Sequence, residues 1–275
     1  MLTMKHLLLF LLIFTTLPLF AQKSLEVAYE SSDYTYREPA MSTPISLKGK
    51  LRGASLRYET RMRDSGMFAA FEGRWMGGTT DYDGWLQSAD PSDPPIQHKV
   101  SDIGDYYYEA RLHLGQAYDF TPEFQLWVGS GLGYRYLKDH MNKDPYGYLR
   151  ESKYFYMPFT ASLRYNSEWF IVALNGEFDF LIFGKQMSHL GESGLYYDDV
   201  RNDQHKGFGL RAGLKMQANI IRQTGIFIEP FYRYWQIADS QIADGFVEPY
   251  NTTEEYGIRV GFTIYLGGND EVYSF

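Results

Sequence analysis

Between Tyr256 and Leu266 every second residue is large and apolar: Tyr256, Ile258, Val260, Phe262, Ile264 and Leu266. Between them lie Gly257, Arg259, Gly261, Thr263 and Tyr265. A strand sends successive side chains to opposite faces, so this segment has one apolar face and one polar or small face. Similar segments recur along the chain. In 168–184 the apolar face holds Phe170, Val172, Leu174, Phe178, Phe180 and Ile182, and the other face holds Ala173, Asn175, Glu177 and Asp179. The pattern predicts an all-β chain, a single transmembrane antiparallel β-barrel with lipid outside and a polar lumen inside.

About ten strands are expected, at 24–35, 50–62, 66–78, 106–118, 123–137, 152–165, 168–184, 206–220, 225–237 and 254–266. The connections then alternate between short ones, such as Asn166-Ser167, and long ones at 36–49, 79–105, 138–151, 185–205 and 238–253. Short periplasmic turns and long extracellular loops are the asymmetry of an outer-membrane barrel, and an even strand number puts both termini on the periplasmic side. A soluble sandwich or lipocalin-like barrel also alternates. It needs neither an apolar outside on every strand nor this rhythm of loops.

The register sends Arg57, Glu59, Arg61, Glu72, Arg74, Glu109, Arg111, Glu177, Asp179, Arg211, Lys215, Glu229, Arg233 and Arg259 into the lumen. Ten strands enclose a space only modestly wider than one that side chains fill. Interleaved charges of both signs are what a filled interior requires, since an isolated buried charge is costly. A plugged barrel is therefore expected over an ion or solute channel, with the chemistry in the outer loops.

Lys5 and His6 precede an unbroken apolar run, Leu7 to Phe14, and Ala21 offers a small residue before a cut. The run is shorter than the roughly 20 residues of a spanning helix, so 1–21 reads as a signal peptide and 22–275 as the barrel. The chain holds 26 Lys and Arg against 34 Asp and Glu, an acidic balance that disfavours nucleic acid as a partner. It has no Cys, which removes disulfides and thiol chemistry. Aromatic residues make up 17% of the chain, suiting the interfacial girdles of a barrel. The expected setting is the outer membrane of a Gram-negative bacterium, as a monomer among outer-membrane lipid, without metal or cofactor.

One extracellular loop begins Thr79-Thr80-Asp81-Tyr82-Asp83-Gly84-Trp85 and continues to His98. Carboxylates two residues apart near a strand end can share a proton or hold a water, although the same pattern is common in solvated turns. Asp81-Tyr82-Asp83 followed by Trp85 resembles the Asp-x-Asp-Trp element of the omptin family, the ten-stranded outer-membrane endopeptidases of Gram-negative bacteria, with Gly84 as an extra residue. His98 stands where that family carries a histidine, upstream of the strand with Glu109. Tyr156-Met157-Pro158-Phe159 and Ser162-Leu163-Arg164-Tyr165 resemble its Lys-Met-Pro-Tyr and Ser-Tyr-Arg-Tyr elements. Gly176-Glu177-Phe178 and Ile226-Phe227-Ile228-Glu229 follow in the same order.

The resemblance implies an endopeptidase in which an Asp pair, Asp81 and Asp83, faces a His with its own carboxylate across a cleft and activates water. His189 is the candidate base, with Trp85 and His98 as supporting loop residues. Met187 stands where the family has the Asp of its Asp-x-His pair, so Glu192, Asp198 or Asp199 would have to supply that carboxylate. The resemblance also implies lipopolysaccharide bound on the outer wall by Tyr134, Lys138 and Lys153. An aromatic girdle accounts equally for Tyr134, Tyr136, Tyr154 and Tyr156. Two functions follow: an endopeptidase acting on peptides or proteins at the extracellular cleft, or an inactive barrel of the same shape serving as surface adhesin, receptor or structural protein.

Overall fold

The computed structural model describes residues 21–39, 43–86, 92–193, 198–221 and 223–266. The expected signal segment, through residue 20, lies outside them, and Ala21 opens the first strand. The strands are β1 (Ala21–Glu38), β2 (Ile45–Met62), β3 (Met67–Leu86), β4 (Ile96–Asp119), β5 (Phe124–His140), β6 (Leu149–Asn166), β7 (Phe170–Ser188), β8 (Val200–Gln204), β9 (Gly207–Ile221), β10 (Thr224–Ile237) and β11 (Asn251–Tyr265). Each pairs antiparallel with its neighbours, and β1–β11 and β6–β7 pairing closes the sheet. β8 and β9 both pair with β7, at its two ends, and form one interrupted stave. The result is a closed barrel of ten staves. No helix among the described residues is long and apolar enough to cross a membrane.

At the turn end the strand boundaries fall within two residues of those expected, except that β1 begins three residues earlier. At the loop end most do not. β3 runs on to Leu86 and β4 starts at Ile96, so most of the segment expected as a loop at 79–105 is paired strand. The expected loop at 185–205 likewise holds the end of β7, a short 3-10 turn (Leu190–Ser193) and β8. A bilayer needs only about 9–11 residues of tilted strand. Beyond it both faces meet water or polar neighbours, so the polarity alternation fades while backbone pairing continues. Asp81 and Asp83 thereby become strand residues.

The outward face carries an apolar band that includes Leu56, Leu114, Leu132, Leu174, Leu214, Ile228 and Val260, all exposed. A soluble protein seldom leaves a belt of this extent open, whereas a bilayer requires it. Tyrosines edge the band on the loop side, with Tyr108 stacked on Tyr136 at 4.8 Å and Tyr232 beside Tyr256 at 4.9 Å. Phe120, Phe124 and Trp169 edge it on the turn side. Tyr154 and Tyr156 are not girdle residues: both are buried inside. They share the parity of inward Arg164, and Lys153 and Phe155 take the outer positions between and beside them. The ring of Tyr156 lies flat over Gly133, where a Cβ would come within 2.2 Å of it.

All fourteen charges expected in the lumen face it, and β1, β5 and β11 add Glu30, Arg135 and Glu255. They form a belt across mid-barrel. Glu30 receives Arg74 at 3.1 Å, Arg233 at 2.7 Å and Arg259 at 3.2 Å. Glu72 holds Arg74 and Arg111 at 2.6 and 2.5 Å, and Glu109 holds Arg74 and Arg211 at 2.7 and 2.5 Å. Above the belt the lumen is packed by Tyr34, Leu51, Met76 and Tyr107, and by Tyr154, Tyr156, Leu181, Trp235 and Ile237. The belt and these side chains fill most of the middle and loop-end lumen.

Candidate functional site

Cross-strand register decides where the expected catalytic carboxylates point. On β3, Tyr82 sits opposite Leu47, which is buried in the lumen, while Asp81 sits opposite the exposed Lys48. Side chains alternate, so Asp81 and Asp83 both leave the outer side of the wall. A register shift between Thr80 and Tyr82 bends the hairpin there, and Asp102 takes a left-handed φ of 59° opposite it. The Asp102 backbone N–H donates to Asp81 Oδ1 at 3.1 Å. Asp83 accepts from Gln97 Nε2 at 2.9 Å and pairs with Lys99 Nζ at 3.2 Å. The Gln97 bond first, and Lys99 after it, hold the Asp83 carboxyl below its ordinary range. Trp85 is exposed on the same edge. His98 Nε2 lies 3.1 Å from Asp144 Oδ1, its ring set between Tyr82 and Tyr146.

His189 follows the end of β7, on another part of the wall. Its backbone N–H donates to Leu149 O at 2.9 Å, Nδ1 lies 2.8 Å from Asp199 Oδ2, and Nε2 lies 4.0 Å from Glu151 Oε2. Of Asp198 and Asp199, whose side chains are described, Asp199 is the one that meets it. The Gly191 N–H fixes the other Asp199 oxygen at 3.3 Å. Glu192 lies in the 3-10 turn, and its side chain is outside the described residues. Among the described residues no hydrogen bond or ion pair joins His189 to Asp81 or Asp83. Four stave positions separate β3 from β7, and both groups face outward, so the barrel stands between them.

The loop-end mouth gathers a group that the sequence pattern did not reveal. Arg150 reaches Glu38 at 3.0 Å, Asp139 at 3.1 Å and Glu248 at 3.6 Å, with its guanidinium 4.8 Å from the Tyr36 ring centroid. Asp105 is the cross-strand partner of Asp139 and accepts a hydrogen bond from Thr80. One arginine thus pairs with three carboxyl groups, from β1, β5 and the last loop, and a fourth, Asp105 of β4, stands beside Asp139. Burial, with Asp139 next, pushes Asp105 up to about 8; burial, reinforced by Glu38, pushes Glu248 up to about 7. Asp139 is raised by burial as well. No local motif could have announced this group, since its members are brought together only by closure of the barrel. The adjoining cavity measures about 50 Å³. That is room for a few waters, against the roughly 300 Å³ or more of a small-molecule site. No cluster of metal-ligating side chains occurs among the described residues.

The outer wall at β5–β7 carries the expected lipid-facing residues. Tyr134 lies 6.3 Å from Tyr108, and Lys153 sits over the Tyr136 ring at 5.6 Å. Glu151 is shared by Lys138 at 3.3 Å and Lys153 at 3.8 Å. Lys153 also stands directly opposite Lys185.

No protein-family model matches the chain, and no curated protein matches it. Solved structures do. The outer membrane protease OmpT from Escherichia coli aligns with a TM-score of 0.56 at 11% identity, over 89% of this chain and 97% of that one. The outer membrane protein OprG from Pseudomonas aeruginosa aligns at 0.41 and 7% identity, over 90% and 97%. Ail, the attachment invasion locus protein of Yersinia pestis, aligns at 0.32 and 11%, over 89% and 99%. At these identities the likeness to OmpT is one of fold: a closed ten-stave barrel of the kind found in Gram-negative outer membranes.

Proposed function

We propose that this chain is a closed, non-conducting outer-membrane barrel that works by binding at its outer surface, as a receptor or adhesin, and not as a pore or an omptin-type protease. The observation that carries the reading is the orientation of Asp81 and Asp83. They face away from the lumen, tied to Lys99, Gln97 and the Asp102 N–H, and cannot share a water with His189. The charged belt argues in the same direction against conduction. The lipid partner is a phosphate-bearing one, lying across Lys138, Lys153 and Lys185 beside Tyr134. Like charges set directly opposite on neighbouring strands destabilise a sheet, and an anion between Lys153 and Lys185 removes that cost.

The test is peptide cleavage and planar-bilayer conductance by refolded protein in native lipid. Neither activity is expected. Cleavage that disappears in both Asp83→Ala and His189→Ala would overturn the reading. A second reading has one observation in its favour: a histidine oriented by Asp199 at 2.8 Å has the geometry of a general base. Hydrolysis lost in His189→Ala and in Asp199→Asn, but retained in Asp83→Ala, would identify that site instead.

A further inference from the structure

The turn-end half of the lumen holds a cavity of about 240 Å³. It exists because inward positions there are small. Thr160, Ser162, Ala173 and Gly213 line it, where the loop-end half carries Tyr154, Tyr156 and Trp235. Its lining descends to Lys23, Asn166 and Leu266 at the turn-end rim and rises to Arg74 and Arg211 in the belt. It is therefore entered from the turn end and stopped by the belt.

Its charge is one-sided. Ten lysines and arginines line it against five glutamates. The belt arginines are answered from behind by Glu30, Glu109 and Asp179. Below the belt the reserve is thinner, with Arg57 reaching back to Glu72 at 3.4 Å. Arg57 and Arg164 share Glu59, both at 2.8 Å, Lys215 is held by Glu26, and the partner of Arg61, Asp119, is half-exposed at the rim. The same space collects unmet polar atoms. Both ring nitrogens of His113, and the Nε atoms of Arg61 and Arg111, have no hydrogen-bond partner, although these residues are only 2%, 6% and 7% exposed. Buried N–H groups demand an acceptor, and a net positive, partly dehydrated wall favours an acceptor that carries charge. Phe68 and Trp127, 4.8 Å apart, supply an apolar side to the same cavity.

We propose that this vestibule binds a small organic anion from the turn-end side, its carboxylate or phosphate oxygens meeting His113, Arg61 and Arg111 and its short apolar body lying against Phe68 and Trp127. The volume accommodates on the order of ten waters, which sets the size of the ligand at a small molecule and excludes a polymer. The site is separated by the belt from everything at the loop end, so it stands whether or not the outer surface hydrolyses peptides.

The probes are benzoate, phenyl phosphate and the neutral benzyl alcohol, titrated calorimetrically into the full refolded chain in detergent micelles. Saturable binding of benzoate or phenyl phosphate is expected, weakening as salt rises, with no binding of benzyl alcohol. The stronger of the two anions identifies the head group. His113→Leu, which keeps the buried volume and removes the ring nitrogens, should weaken binding about tenfold. Ala173→Phe, which fills the cavity between Arg164 and Lys215 without removing a charged residue, should abolish it, and Lys50→Ala on the outer wall should leave it unchanged. Heat-modifiable migration on gels reports that each variant has formed its barrel. Equal binding of benzyl alcohol, unchanged affinity in folded Ala173→Phe, or no anion binding by wild type at millimolar concentration would each overturn the proposal.

Discussion

The two halves of the lumen obey the same alternation and end in opposite states. At the loop end one arginine, Arg150, faces Glu38, Asp105, Asp139 and Glu248, and aromatic side chains leave about 50 Å³. At the turn end Arg57, Arg61, Arg164 and Lys215 face Glu26, Glu59 and the half-exposed Asp119 around about 240 Å³. Period-two patterning settles which side chains enter a barrel. The volume and sign of those side chains, tier by tier, settle whether the interior is a plug or a vestibule. The belt centred on Glu30, Glu72 and Glu109 keeps the two apart, since each of its carboxylates is held by arginines from more than one stave.

Breaking the belt should have the largest effect. Glu30→Gln leaves Arg74, Arg233 and Arg259 without their common anion, and stranding buried charge costs about 3–5 kcal/mol. The midpoint of urea unfolding, followed by tryptophan fluorescence, should fall accordingly; an unchanged midpoint would mean that the belt does not divide the halves.

The next largest effect separates the halves by pH. In the folded mouth Asp105 is raised to about 8 and Glu248 to about 7, so the native state binds more protons than the unfolded chain above pH ~4. Their contribution is fully present below the unfolded carboxyl range and is lost as pH climbs to 7–8. Wild type should therefore be more stable at pH 5 than at pH 8.5. Asp105→Asn combined with Glu248→Gln should flatten the slope. A thermal-melting series across that range measures it, and a slope of opposite sign would sink the assignment.

The smallest effects belong to the outer surface. Asp83→Ala and His189→Ala remove exposed partners and should each leave the unfolding midpoint essentially unchanged. Lys153→Ala, which relieves its opposition to Lys185, should leave the protein no less stable in detergent and should weaken any stabilisation by added lipopolysaccharide relative to wild type.

Much of this was readable from the chain. Phe170 to Ile182 announced an outward face, and Glu177 and Asp179 an inward one, because a membrane barrel imposes a solvent on each face and the sequence must match both. Beyond the bilayer that constraint lapses. The strand character of Asp81 and Asp83 was hidden for this reason, and so was the side from which they emerge: one residue of register turns them from cleft to outer wall. Asp199 stood among three candidates as a partner of His189, and only the structure shows it meeting the ring. The mouth cluster had no local signature, since Glu38 and Glu248 lie at opposite ends of the chain.

The barrel, its inside and its outside follow from the residue pattern, because alternation is a local property that each strand carries alone. Which inward charges meet, where a cavity opens, and which way the loop-end carboxylates point were decided by closure and register. Those depend on the stagger between strands far apart in the chain, and no single segment encodes that stagger.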